Sequence, residues 1–357
     1  MKSYNHLWEK FISDENIQLA IKKASRGKKN RKEVVSKIND PNFPQHIKNY
    51  ASNFKNKRHT VHEIYDGVQR KKRQIMVPTF DEQVVHHMVV NVLEPIFMKG
   101  MYAHSYGSIP KRGPHKGKKT IVKWISHNGN HCKYCLKMDI RKYFDSIPHK
   151  QLIDKFRKLI HDEKFLEVII EIIEVVPVGL PIGFYTSQWI ANWYLQDFDH
   201  YIKEILKAKM YIRYMDDMNI FHRSKKILHW FRVAISIFLS GLGLELKANW
   251  QVFRFHFNNK YRFLDFMGFR FYRDRVTLRR SIILKATRKA HRLYKSDKIT
   301  VYSARQMLSY LGWLKHANIY TYYSENIKPF VNFQALKRRL SKYDRNQRRK
   351  EYGMVCC

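Results

Sequence analysis

Apolar and polar residues alternate over residues 209–213 and again over 219–222, and the five residues Tyr214, Met215, Asp216, Asp217 and Met218 join the two runs. A period of two predicts two strands folded into a hairpin. The same alternation over residues 135–140 predicts a third strand, with Asp139 near its end. Elsewhere the period lengthens. Leu152, Phe156, Leu159, Phe165, Val168, Ile169, Ile172 and Ile173 carry a helical spacing through residues 150–174. Thr79 and Glu82 form a capping box that opens a helix over residues 80–92. Pro78 biases Val77 toward extended backbone, so a short strand precedes that helix. Residues 178–183 read as a loop, and Thr186, Ser187 and Gln188 open a helix running through Phe198. An apolar helix follows over 231–239, residues 241–253 turn back into the sheet, and 263–271 read as a hairpin at a sheet edge. From Leu278 onward the chain reads as helical. The expected class is α+β.

Charge changes the picture next. Of 357 residues, 68 are Lys or Arg and 30 are Asp or Glu, a formal charge of +38 spread along the whole chain. Such an excess opposes folding through self-repulsion, so a polyanionic partner is expected, a long nucleic acid above all. Binding should weaken with salt as counterions are released. Basic runs occur at residues 22–32, read as a solvated loop or a phosphate contact, and at 70–73. Residues 106–119 form a basic loop punctuated by glycine and proline, which offers backbone donors and cations suited to a triphosphate. In the carboxyl-terminal region basic residues interleave with Tyr310, Trp313, Tyr320, Tyr322 and Tyr323, a pattern suited to duplex backbones or stacked bases.

No run of about 18 apolar residues occurs, so no transmembrane helix is expected. The first residues lead into polar sequence without an apolar signal core, and a cytoplasmic location is expected. Cys132, Cys135, Cys356 and Cys357 do not suggest a disulfide framework. Cys132 and Cys135 would form half a zinc site, but no second pair closes it, which favours buried thiols.

The candidate chemistry rests on acids. Adjacent carboxylates in a tight turn repel, and need a cation or open water; Asp is also a common turn former. Asp139 lies 77 residues before Asp216 (216 − 139) on its own strand. Three acids on two strands of one sheet can converge on a pair of divalent ions.

In order, the chain carries a basic glycine loop, a strand with Asp139, a Pro181-Ile182-Gly183 helix start, an Asp-Asp hairpin and a basic aromatic tail. This set resembles the palm of a reverse transcriptase, from about residue 70 to 271, with weaker similarity beyond. The resemblance implies a right-hand architecture, with fingers and palm over residues 1–275 (palm core about 131–149 and 178–275) and a small helical basic thumb over 276–357. It assigns Asp139, Asp216 and Asp217 as catalytic acids. With Ile140 they are the expected metal-binding set for two Mg²⁺ ions about 3.5–4 Å apart. The nucleotide-binding set implied is Arg73, Lys111, Arg112, Ile140, Phe144, Ile182, Gly183, Gln188 and Lys247. Phe144, five residues after Asp139, occupies the position where the family sets an aromatic ring under the sugar, which implies deoxynucleotide substrates. Lys247, three residues before Trp250, stands as either a proton donor to pyrophosphate or a solvated surface lysine, and the general exposure of lysines favours the second.

Most reverse transcriptases begin the 182–188 motif with Gln and end it with Pro; here it begins with Ile182 and ends with Gln188. That departure, with residues 250–253 and 309–316, resembles the enzymes of diversity-generating retroelements. The implied function is error-prone copying of a template RNA into cDNA, with mutation at adenines. The implied partners are template RNA, primer, deoxynucleoside triphosphates and a small, basic, oligomeric accessory protein, with no membrane. Retron, group II intron and phage-defence reverse transcriptases are alternatives, as is a non-catalytic RNA-binding scaffold.

Overall fold

The computed structural model describes residues 3–28, 31–57, 59–66, 71–255 and 262–353. Arg70, residues 29 and 30 of the first basic run, and Cys356 and Cys357 lie outside the described residues. The described chain is a mixed α+β structure, as its two periodicities predict. It divides into two compact units, residues 1–117 with 133–253, and residues 118–132 with 254–357.

In the first unit, strands β1 (Thr60–Asp66) and β2 (Lys71–Val77) pair as an antiparallel ribbon. A second sheet holds β3 (Tyr134–Asp139), β4 (Met210–Tyr214), β5 (Asp217–His222) and β6 (Gln251–Arg254) in the order β4-β5-β3-β6. The hairpin β4–β5 closes with Tyr214 opposite Asp217, and β3 lies antiparallel to β5 with Asp139 opposite Asp217. Leu136, Met138, Met218 and Ile220 are buried in the unit's main core.

The helix Phe80–Lys99 runs seven residues beyond the predicted end, through Pro95. It opens on the expected capping box of Thr79 and Glu82. Val84, Val85, Met88, Val89, Leu93 and Phe97 bury it on more than one side, so packing in the core outweighs the cost of an interior proline. Residues 150–174 form two helices, His149–Leu159 and Glu163–Ile173. Asp162 separates them, since its carboxylate caps Phe165 N–H and also accepts from Trp8 N–H at 2.8 Å. Thr186 and Ser187 do not cap the helix Tyr185–Tyr194. They are buried within it, and Thr186 Oγ1 lies 3.0 Å from His86 Nδ1. Ser224 caps the helix Lys225–Gly241, which starts six residues before the apolar run suggested.

Two loops prove shorter than read. Lys22 and Lys23 belong to the helix Asp14–Ala24. The basic loop ends at Gly113, because the helix Pro114–His127 takes up the rest. Pro114 at its start lacks an N–H that a first turn would leave unpaired.

In the second unit, β7 (Leu264–Phe266), β8 (Phe269–Phe271) and β9 (Val276–Leu278) make a three-stranded sheet of their own. Residues 263–271 form the expected hairpin, with β7 at the edge of this separate sheet. Helices Arg280–Tyr294, Val301–Leu314, Tyr320–Asn326 and Phe333–Gly353 follow. Among the described residues no helix is long and apolar enough to cross a membrane.

Candidate active site

The turn between β4 and β5 depends on a buried arginine. Arg213 and Asp199 are each 0% exposed. Arg213 Nε donates to Asp199 Oδ1 at 2.8 Å and Nη2 to Asp199 Oδ2 at 2.5 Å. Nη1 donates to Met215 O at 3.1 Å and to Asn192 Oδ1 at 3.2 Å. Tyr211 Oη completes the group with a 2.7 Å bond to Asp199. Burial pulls the guanidinium's pKa down, but Asp199 more than offsets this and leaves it above its ordinary value. Met215, the residue before Asp216, has φ 56, a left-handed conformation that non-glycine residues seldom adopt. The bond from Arg213 to its carbonyl holds it there. Residues 104–106 run beside β4, with Arg213 N–H donating to His104 O and Tyr106 N–H to Arg213 O. A Cβ on Gly107 would overlap the Met215 backbone, so only glycine allows this approach.

Asp139 comes to the same place from β3. Ile140 N–H donates to Asp216 O at 3.3 Å, joining the strand end to the turn. Residues 245–247 pair with 139–141: Arg141 N–H donates to Glu245 O and Lys247 N–H to Asp139 O, each at 2.8 Å. This short ladder sets the Lys247 ammonium directly on the Asp139 carboxylate. Lys247 is thus a half-buried partner of a site acid, contrary to the solvated surface lysine favoured from sequence. Burial raises the Asp216 carboxyl above the usual carboxylate range, and Asp139 raises it further; Lys247 and Arg73 pull it back. Two acids that resist sharing negative charge, with two cations brought to them, fit a site for a divalent ion. Asp217 sits opposite Asp139 in the ladder, with Lys137 Nζ 4.0 Å from its Oδ2. Among the described residues no three His, Cys, Asp or Glu side chains are already gathered as a metal cage.

The remaining expected residues divide by environment. Arg73 is exposed on β2 and acts electrostatically on Asp216. Lys111 is exposed with φ 57. Arg112 is turned inward: its Nη1 donates to Tyr102 O at 2.6 Å and Ser105 O at 3.2 Å, which ties the loop to the segment just before it. The Phe144 ring packs partly buried against the core, and its carbonyl accepts from Leu180 N–H at 2.6 Å. Ile182 is half-buried, and its carbonyl accepts from Met76 N–H on β2 at 2.9 Å. Gln188 Oε1 accepts from Ser108 Oγ at 2.9 Å.

Gly183 has φ +118, and a Cβ there would overlap the Met76 carbonyl. Gly183→Ala is therefore expected to lower stability by about 1–3 kcal/mol, the usual cost of such backbone strain. Chemical denaturation of the two proteins measures this. An unchanged midpoint would mean that the 182–183 segment moves freely.

Sequence reasoning missed Arg213, Asp199 and Asn192. Arg213 read as a polar position of an alternating strand, and only its neighbours show it buried. Its one signal was a long cation beside the acidic turn. Cys132 and Cys135 are buried and in no disulfide, and burial pushes the Cys132 thiol up to about 12.

This geometry can be set beside known proteins. Protein YkfC of Escherichia coli (strain K12) is 26% identical over 145 residues, covering 38% of this chain and 38% of that protein. Retron Ec73 reverse transcriptase of Escherichia coli is 29% identical over 147 residues, covering 36% of this chain and 45% of that enzyme. The chain thus spans less than half the length of either relative. Among solved structures, apo telomerase from Candida tropicalis matches with a TM-score of 0.47 and 13% identity, over 62% of this chain and 55% of that one. A family model described as reverse transcriptase (RNA-dependent DNA polymerase) matches residues 55–271, more than half of the chain. Because that match covers more than half of the chain and takes in β3 and the β4–β5 hairpin, the chain belongs to the reverse transcriptase family.

Proposed function

We propose that the chain is an RNA-templated DNA polymerase that makes error-prone cDNA, with mutation concentrated at template adenines. The observation that carries the polymerase reading is the meeting of Asp139 with the Asp216–Asp217 turn at the end of the sheet, where Asp139 lies opposite Asp217, Ile140 N–H bonds Asp216 O, and Lys247 sits on Asp139. In this reading Asp139, Asp216 and Asp217, with Ile140, hold the divalent ions, for which Mg²⁺ is the natural choice among carboxylates and phosphates. Bound there, a pair of such ions neutralises phosphate charge and activates the primer's 3′ oxygen. The protein's share is to position the reactants. Arg73 and Lys111 offer charge to the triphosphate. Arg112 acts by shaping the loop from behind. The Phe144 ring crowds the sugar's 2′ position, which selects deoxynucleotides. Lys247 holds a proton at Nζ beside Asp139, where departing pyrophosphate needs one. The basic helices after residue 276 serve as a thumb on the nucleic acid, and the charge of +38 supplies affinity for template RNA and primer. A small basic oligomeric protein is the expected accessory.

The experiment is magnesium-dependent extension of a primer on an RNA template, with products sequenced. The adenine-specific reading rests on Ile182 standing where a polar residue would hydrogen-bond near the nucleotide. Ile182 can neither donate nor accept, so a mispaired nucleotide forfeits less relative to the correct one. Ile182→Gln is expected to lower misincorporation opposite adenine about tenfold, the worth of one hydrogen bond. An unchanged error spectrum would remove Ile182 from the account.

The Retron Ec73 relative favours a second reading, a retron-type enzyme without adenine-directed error. Equal error at all four template bases would select it.

A further inference from the structure

The helix Asp14–Ala24 carries the start of the first basic run and packs against the helix Phe80–Lys99. Lys23 Nζ donates to Asn91 Oδ1 at 2.6 Å, and Lys28 Nζ donates to Gln83 Oε1. Gln83, His87 and Asn91 follow one another at intervals of four residues, so they share one face of their helix. Two lysines are thus tied one turn to either side of His87, to residues about 12 Å apart along the axis. Arg26, between them in sequence, is exposed. Glu94 lies 3.9 Å from Lys23, but among the described residues no carboxylate pairs with Arg26 or Lys28.

What these cations surround is a pair of rings. His87 and Tyr185 have centroids 4.2 Å apart, with their planes tilted by 34°. Tyr185 is the first residue of the helix Tyr185–Tyr194 and is 37% exposed. Burial, then Lys28, Lys23 and Arg26, push the His87 imidazole down to about 4, so at neutral pH it is an uncharged ring. The bland use of such a pair is to fasten two helices together. A fastening alone needs neither an aromatic face in solvent nor cations without carboxylates beside it. Both are what a single-stranded nucleic acid uses, with bases on the rings and phosphates on the cations.

The place of the rings in the fold says which strand. Tyr185, Gln188 and Asn192 are three and four residues apart, on one face of their helix. At the inner end Asn192 Nδ2 donates to Gly107 O at 2.8 Å and to Met215 Sδ at 3.2 Å, beside the acidic turn. Tyr185 stands about 10 Å farther along the helix. A polymerase keeps its unread template single-stranded just ahead of the reacting pair, where the next base has no paired neighbour to stack upon. We propose that Tyr185, backed by His87, stacks a base of this unread template, and that Arg26 and Lys28 hold the phosphates beside it. Calling the strand a template rests on the polymerase reading; the binding itself is measured without chemistry.

The test is fluorescence anisotropy of labelled primer–template duplexes with the full chain, in chelator. One duplex carries a single unpaired template nucleotide, and the other about eight, within the usual size of a single-strand site. The parent is expected to bind the longer overhang more tightly. Tyr185→Ala should remove that preference, weakening the long-overhang complex about tenfold, the worth of one stacked base, and leaving the short one unchanged. Tyr185→Phe should keep the preference, since the ring and not the hydroxyl stacks. Arg26→Ala, at an exposed position where the fold is not at stake, should reduce the dependence of log K on log salt by about one for the long overhang only. Equal binding of both overhangs by the parent, equal losses on both in Tyr185→Ala, Tyr185→Phe as weak as Tyr185→Ala, or an unchanged salt slope in Arg26→Ala would overturn the proposal. A Tyr185-dependent preference in a chain that extends no primer would sink the polymerase reading and leave this single-strand site in place.

Discussion

Asp216→Asn is expected to reduce primer extension by at least about a thousandfold, because ~4 kcal/mol of transition-state stabilisation is lost with one anionic ligand of the site. The same substitution should leave the fold intact or strengthen it. Burial and Asp139 hold the Asp216 carboxyl above its ordinary range. A carboxyl with a raised folded pKa binds its proton more tightly folded than unfolded, so its contribution to stability declines as pH rises through and above the ordinary carboxylate range. At neutral pH without divalent ions, the ionised Asp216 is therefore a net cost to the fold, and a neutral amide of the same shape removes it. Thermal melting in chelator should show Asp216→Asn equal to or above the parent, with the difference shrinking as pH falls. Extension by Asp216→Asn at the parental rate would overturn the polymerase assignment. A collapsed melting curve would assign the loss to folding instead.

The second large effect is expected from Arg213→Met. Breaking a buried ion pair strands the remaining charge, and typically costs about 3–5 kcal/mol. Asp199 would be left fully buried with, among the described residues, Tyr211 Oη as the remaining hydrogen bond to its carboxylate. The melting temperature should fall by several degrees. Removing both charges, in Arg213→Met with Asp199→Leu, should destabilise less than Arg213→Met alone, since no uncompensated charge remains. Catalysis gives an independent reading. Met215 loses the bond that holds its left-handed backbone, so Asp216 is displaced. At temperatures where the double variant stays folded, kcat should still fall about a hundredfold while KM for nucleotide changes little, as expected when only the reacting geometry is disturbed. Full activity in that folded variant would show that Arg213 serves the core alone.

These two residues separate what can be read from a chain and what cannot. Asp216 and Asp217 stand out because two acids in a turn between alternating strands are costly without a purpose, and that cost is local. Arg213 lies three residues away, yet carried no comparable signal. A polar residue in an alternating strand is expected to face water, and whether it does depends on the two helices carrying Asn192 and Asp199, which fold against it from elsewhere in sequence. Lys247 was misjudged for the same reason. Nothing adjacent to it distinguishes it from a surface lysine, and the ladder with residues 139–141 that sets it on Asp139 links positions over a hundred residues apart. Arg112 was read from its charge and its loop, but its Nη1 is bonded to carbonyls of Tyr102 and Ser105, just before that loop.

By itself, the order of residues determined the α+β class, the hairpin with its acidic turn, the strand ending at Asp139, the capping box at Thr79 and Glu82, and the formal charge of +38. Periodicity, capping and net charge act over a few residues or over the whole chain, and both scales are visible without coordinates. Tertiary structure alone decided which charges are buried and paired, how far the helix at Phe80 extends past Pro95, that residues 263–271 join a separate sheet, and that the Lys225–Gly241 helix leaves Trp230 and Ile237 in solvent. Each of these is set by burial, which depends on what packs against a residue from distant parts of the chain.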